Sequence, residues 1–263
     1  MWMATDLHVV EFGEGEPIVF VHGGFDDAEE TFPKQRELAD QYRVVFVDRR
    51  GYGESPPAVR FDLDSQIDDL IAALGGGAHV VGHSYGGVLC LLAAARRPDL
   101  VWSLTVIEPP AFSVARGDGS VEAFIERLQA WYATAVDKPK ERLVPDFLRA
   151  LGLDPLDIQL SEQDLADAVT TAHEPPPWEA EVPLDRLALA SLPTLVVSGA
   201  WDIAPPEARE IAGTAHRAVC DEIAHRLNAE QAVFPGEMHN PQMLGKPFND
   251  RFREFLRRAT ADA

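Results

Sequence analysis

Short apolar runs rich in β-branched residues recur along this chain, separated by stretches in which apolar positions fall three and four apart. The runs at 7–12, 17–21, 43–47, 78–82, 103–107, 194–198 and 231–234 predict strands. Several are apolar without interruption (IVFV, VVFV, TLVV), the pattern expected of strands covered on both faces. Helical stretches at 64–74, 85–97, 206–227 and 248–258 lie between and after them. The alternation predicts an α/β fold with a mostly parallel sheet flanked by helices. Pro98 ends the second helix, because proline cannot continue the hydrogen-bond ladder.

One stretch breaks the alternation. Residues 111–190 show no strand pattern, and Val121, Phe124, Ile125, Leu128, Trp131, Tyr132 and Ala135 trace a single apolar helix face. Ser161 followed by Asp164 predicts a capped helix start, and the PPPW at 175–178 a stiff return to the sheet. Eighty helical residues between two strands exceed a crossover. They predict a helical cap, 111–190, inserted into a core formed by 1–110 and 191–263.

Composition narrows the function classes. At 263 residues with 46% hydrophobic and 25% charged positions, the chain is an ordinary globular sequence. Its 43 acidic against 23 basic side chains give a net charge of −20, which repels phosphate backbones and anionic lipid headgroups, so neither nucleic acid nor membrane is an expected partner. Residues 111–190 alone carry 15 Asp and Glu against 7 Lys and Arg. The longest apolar run, 88–95, is far shorter than the roughly 18 residues of a membrane span. The N-terminal segment MWMATDLHVVEF lacks the basic-then-apolar order of a signal peptide. The two cysteines, Cys90 and Cys220, form no disulfide framework or zinc spacing, which predicts a cytoplasmic protein, and no motif predicts a metal or a cofactor.

The sharpest chemical signal is Gly82-His83-Ser84-Tyr85-Gly86, set between the strand AHVVG and the helix VLCLLAAARR. In that context a serine sits on a strained strand-to-helix turn with its Oγ projecting from the sheet edge, and the flanking glycines allow the close packing the turn needs. A serine needs a base and an acid to become a nucleophile. Of the later histidines, His216 and His225 fall within the 206–227 helix and are read as surface residues, whereas His239 occupies the loop GEMHN after the last strand.

These features resemble the α/β-hydrolase family, over about residues 9–256 except the cap. His22-Gly23-Gly24 after PIVFV resembles its oxyanion loop, and DRRGYGES at 48–55 its structural post-strand turn. The resemblance implies Ser84 as nucleophile, His239 as general base, and the backbone N–H groups of Gly24 and Tyr85 as oxyanion donors, with Phe25 the donor if the loop register differs by one. The acid it implies is Asp202, in SGAWD after TLVV, with Glu108 at the end of the preceding strand as the rival position. His83 is expected to point away from the site as a core histidine, and His22 to brace its own loop.

A serine at position 84 disfavours the aspartate-nucleophile epoxide hydrolases and haloalkane dehalogenases. The reading is a serine hydrolase cleaving a small, neutral, fairly apolar ester or lactone. Carbon–carbon hydrolysis or cofactor-free perhydrolysis with the same triad is the alternative, and a non-catalytic receptor the more distant one. The pH profile is expected to rise through a histidine-like transition near neutrality.

Overall fold

The computed structural model describes residues 6–155 and 158–261. The first five residues of the N-terminal segment lie outside these, as do positions 156–157 of the predicted cap.

Seven strands form one sheet: β1 (Val9–Phe12), β2 (Pro17–Val21), β3 (Arg43–Val47), β4 (Ala78–His83), β5 (Val101–Ile107), β6 (Thr194–Gly199) and β7 (Glu230–Phe234). Their spatial order is β1-β3-β2-β4-β5-β6-β7, and every pairing is parallel except β1 with β3. All seven strands were legible as apolar runs, and the packing shows why. In β2, Val19 and Val21 join one hydrophobic core while Ile18 and Phe20 join another on the opposite face. Both alternating sets are buried, so the run reads as continuously apolar.

The helices are α1 (Ala28–Thr31), α2 (Leu63–Leu74), α3 (Tyr85–Arg96), α4 (Gly119–Ala135), α5 (Lys140–Ala150), α6 (Glu162–His173), α7 (Leu184–Ala190), α8 (Pro206–Ala208), α9 (Thr214–Leu227) and α10 (Lys246–Ala261). Helix α10 carries Phe248, Phe252, Phe255, Leu256 and Ala259 inward, at the spacing of one apolar stripe. The 206–227 stretch departs from one continuous helix. A π-helical turn at Arg209–Gly213 separates α8 from α9, where a Cβ on Gly213 would come within 2.9 Å of the Trp201 ring. Such turns shift helix phase locally and recur at functional sites.

Between β5 and β6 the described residues form only helices and turns. Val121, Phe124, Ile125, Leu128, Trp131 and Ala135 are buried along α4 as their spacing requires, while Tyr132 is half-buried. Ser161 and Asp164 form a reciprocal capping box at the start of α6. Such a cap stabilises its helix by about 1 kcal/mol. No helix among the described residues is long and apolar enough to cross a membrane.

Candidate active site

Ser84 follows β4 and caps α3 with φ of 51°, a left-handed conformation costly for a residue with a Cβ. Its surroundings enforce that turn. A Cβ on Gly82 would meet the Gly86 carbonyl oxygen at 2.5 Å, and a Cβ on Gly86 would meet the His22 oxygen at 2.3 Å. Only glycine at both positions lets the turn and the 22–24 loop approach each other. The Ser84 N–H is anchored on the Ile107 carbonyl at 2.9 Å.

Gly23 lies against Ser84, where a Cβ would stand 2.8 Å from the serine Cβ. His22 braces this loop as expected. Its Nδ1–H donates to the Gly23 carbonyl at 2.9 Å, and its Nε2 accepts from the Arg49 N–H at 2.8 Å. Those two bonds define a neutral tautomer, and burial holds the imidazole far below its ordinary protonation range. The Arg49 side chain donates to the carbonyls of His22 and Gly23 at 3.1 and 2.6 Å. It also pairs with Glu174, the C-cap of α6, which accepts from Tyr52 Oη–H at 2.7 Å. The 48–55 turn thus ties the 22–24 loop to the helical segment. Phe25 N–H donates to Thr171 Oγ1 at 2.9 Å and is engaged there. Gly24 and Tyr85 both line the cavity that holds Ser84, and Tyr85, as the first residue of α3, has an N–H with no partner in its own helix.

His239, half-buried on the loop after β7, opens onto the same cavity. The carboxylate facing it is Glu108. Its Oε2 lies 3.6 Å from His239 Nδ1 and 3.4 Å from His216 Nδ1. Oε1 accepts from Gly199 N–H at 2.8 Å and from Trp201 Nε1–H at 3.3 Å. Glu108 adopts φ of 48°, which turns its side chain under the loop, and it is fully buried. Burial raises this carboxyl to about 8, against the partial opposition of the Gly199 and Trp201 donors. Burial lowers His239 to about 4, and burial with the neighbouring His239 lowers His83 to about 3.

Asp202 is placed elsewhere. It is exposed, its Oδ1 accepts the Gly236 N–H at 2.9 Å, and its carboxylate forms no ion pair with any histidine among the described residues. Trp201, at φ of 57°, turns the chain so that the indole goes in and the aspartate goes out.

Two histidine expectations are corrected. His216 is buried in the site rather than displayed on the helix surface, with its ring 4.8 Å from that of His239. It shares a helix face with Val219, Cys220 and Ile223, and that stripe was the signal available in the sequence. His83 lines the cavity rather than the far side. Its Nε2–H donates to the His239 carbonyl at 3.0 Å and so anchors the loop. His225 is exposed, as expected.

The cavity measures about 330 Å³. Phe112, Phe124, Tyr132 and Phe147 line it, whereas Trp131 and Trp178 pack behind them. Its ionisable walls are acids, tyrosines and histidines, with no Lys or Arg lining it among the described residues. Cys90 and Cys220 are free and buried.

Comparison with known proteins decides the family. A model described as the alpha/beta hydrolase family matches residues 18–251. The chain belongs to the alpha/beta hydrolase family. The chain is 30% identical over 146 residues to a pimeloyl-[acyl-carrier protein] methyl ester esterase of Shewanella woodyi, a match covering 56% of each chain. It thus spans about half the length of the first curated relatives it matches. Among solved structures, an alpha/beta hydrolase from Sphaerobacter thermophilus is 26% identical with a TM-score of 0.65, covering 94% of this chain and 96% of that one. A thermophilic esterase from Thermogutta terrifontis superposes with a TM-score of 0.66 at 24% identity, covering 96% and 93%. That second likeness is one of fold.

Proposed function

We propose that the protein is a serine hydrolase acting on small, neutral, fairly apolar carboxylic esters or lactones, with Ser84 as nucleophile, His239 as general base and Glu108 as the orienting acid. The observation that carries this reading is one cavity receiving both a serine strained onto the β4–α3 turn and a histidine whose Nδ1 faces a buried carboxylate. His239 Nε2 takes the Ser84 hydroxyl proton as Oγ attacks the carbonyl carbon. The N–H groups of Gly24 and Tyr85 receive the oxyanion, and Phe25, already donating to Thr171, stands aside. His239 returns the proton to the leaving oxygen, and water then hydrolyses the acyl-enzyme by the same route. Ionised Glu108 holds the proton on Nδ1 so that Nε2 is free to accept.

Residues 111–190 act as the cap over the 1–110 and 191–263 core. They supply the aromatic wall formed by Phe112, Phe124, Tyr132 and Phe147, which favours apolar acyl groups. The esterase names among the relatives support ester chemistry. A cytoplasmic setting fits the two free thiols.

A fluorophosphonate probe and a series of p-nitrophenyl esters test the assignment. Wild type is expected to label and turn over, and Ser84→Ala to lose labelling and about three powers of ten or more in kcat. Labelling that survives in Ser84→Ala would place the nucleophile elsewhere.

A further inference from the structure

Glu108 is shared by two imidazoles, yet the site uses only one of them for hydrolysis. Glu108 Oε2 and His216 Nδ1 are both buried and have no hydrogen-bond partner. Leaving two such groups buried and unpaired is unfavourable, which a bound ion would relieve. Two of the three separations approach those of a ligand set. Oε2 stands 3.4 Å from one Nδ1 and 3.6 Å from the other, and one ligand atom from each of Glu108, His216 and His239 lies within 4.8 Å of the others. Tetrahedral zinc, with bonds of about 2.0–2.2 Å to nitrogen and oxygen, holds neighbouring ligands roughly 3.3–3.5 Å apart.

We propose that Glu108, His216 and His239 form a binding site for one divalent ion of the zinc class, and that its occupation switches hydrolysis off. Two imidazole nitrogens and one carboxylate oxygen suit a borderline ion such as Zn²⁺ better than the oxygen-seeking Mg²⁺ or Ca²⁺. Ions reach the set through the cavity, where His239 is 26% exposed.

The switch follows from the tautomer and rests on the hydrolase reading above. A metal on Nδ1 of His239 leaves the ring proton on Nε2. Nε2 then donates instead of accepting, and the Ser84 proton has nowhere to go. The same ion withdraws Glu108 Oε2 from its orienting role. The cavity beside Ser84 stays open, so inhibition should lower kcat with little change in KM.

Zinc binding to EDTA-treated protein, followed by calorimetry, and the visible spectrum of the Co²⁺ form test the site without any substrate. One ion per chain is expected in wild type and in Ser84→Ala, with a tetrahedral cobalt spectrum. Affinity should fall at least about tenfold in both His216→Asn and Glu108→Gln. Using both variants guards against one that fails to fold, which circular dichroism reveals. Absence of saturable binding, or binding unaffected by His216→Asn, overturns the site. Turnover by wild type at saturating Zn²⁺ should fall at least about a hundredfold and return with EDTA. Full turnover with the site occupied overturns the switch and with it the role given to His239, while labelling of Ser84 still reports on the nucleophile separately.

Discussion

Two glutamates near the Ser84 cavity are both buried and are treated in opposite ways. Glu174, at the end of α6, has every oxygen engaged. One takes an Arg49 nitrogen, and the other takes the Tyr52 hydroxyl at 2.7 Å and a second Arg49 nitrogen at 3.3 Å. Glu108, at the end of β5, has one oxygen held by two donors and the other left facing two imidazoles. The first arrangement is closed. It fixes the 22–24 loop to the helical segment and offers nothing to a reaction. The second keeps an acceptor in reserve beside two imidazoles. A fully satisfied buried network positions a site, whereas an incompletely satisfied one can change its protonation and bonding during turnover.

The largest expected effect separates Glu108 from its sequence rival. Glu108→Gln should lower kcat by about 10⁴, because an amide facing Nδ1 favours the wrong imidazole tautomer. Asp202→Asn should change kcat less than about twofold and stability within about 0.5 kcal/mol, since its remaining oxygen still accepts the Gly236 N–H. Steady-state kinetics of the two variants on one ester decide between them, and the opposite ranking would return the acid role to Asp202.

The next effect falls on the other glutamate. Arg49→Met leaves the Glu174 carboxylate buried without its cation and removes the donors to the His22 and Gly23 carbonyls. Breaking a buried pair from one side typically costs about 3–5 kcal/mol. Denaturant unfolding should show that loss, and kcat should drop with it as the 22–24 loop loosens. Glu174→Gln, which keeps the shape and the acceptor oxygen, should cost less than Arg49→Met. Equal stabilities for Arg49→Met and wild type would mean that this pair contributes nothing to holding the loop.

How much of this contrast was legible in the chain depends on whether the cause was local. The strained turn at Ser84 was readable because it is set by neighbours within two residues, Gly82 and Gly86. The strands were readable because both faces of the sheet are covered. Which of Asp202 and Glu108 faces His239 was not readable. It turns on left-handed backbone at Glu108 and at Trp201, which aims one carboxylate inward and the other out. Neither residue is a glycine, so nothing in the local sequence announces the conformation. His216 shows the same limit in a helix. Its place on a stripe with Val219, Cys220 and Ile223 was visible, but that this stripe faces His239 depends on the π-helical turn and on Gly213 against Trp201.

The smallest effect concerns the pH at which the reserve oxygen becomes useful. A Glu108 carboxyl raised to about 8 is protonated in the folded protein over a range where the unfolded chain, at its ordinary 4.5, is ionised. The folded state therefore holds the extra proton, and stability should fall as pH rises from about 4.5 through about 8. Glu108→Gln carries no such proton, so its melting temperature should gain on wild type across that interval. The rate runs the other way. Protonated Glu108 donates to His239 Nδ1 and leaves Nε2 carrying a proton, the inactive tautomer, so kcat/KM should rise with deprotonation at about 8. His239, already neutral above about 4, does not set this limb, which moves it to the alkaline side of the ordinary histidine transition. Rate profiles measured with EDTA present, beside melting curves of wild type and Glu108→Gln, make the check. A rate already at its plateau at neutrality, with parallel melting curves, would mean that Glu108 stays ionised throughout and that the burial of its free oxygen is offset by the two imidazoles beside it.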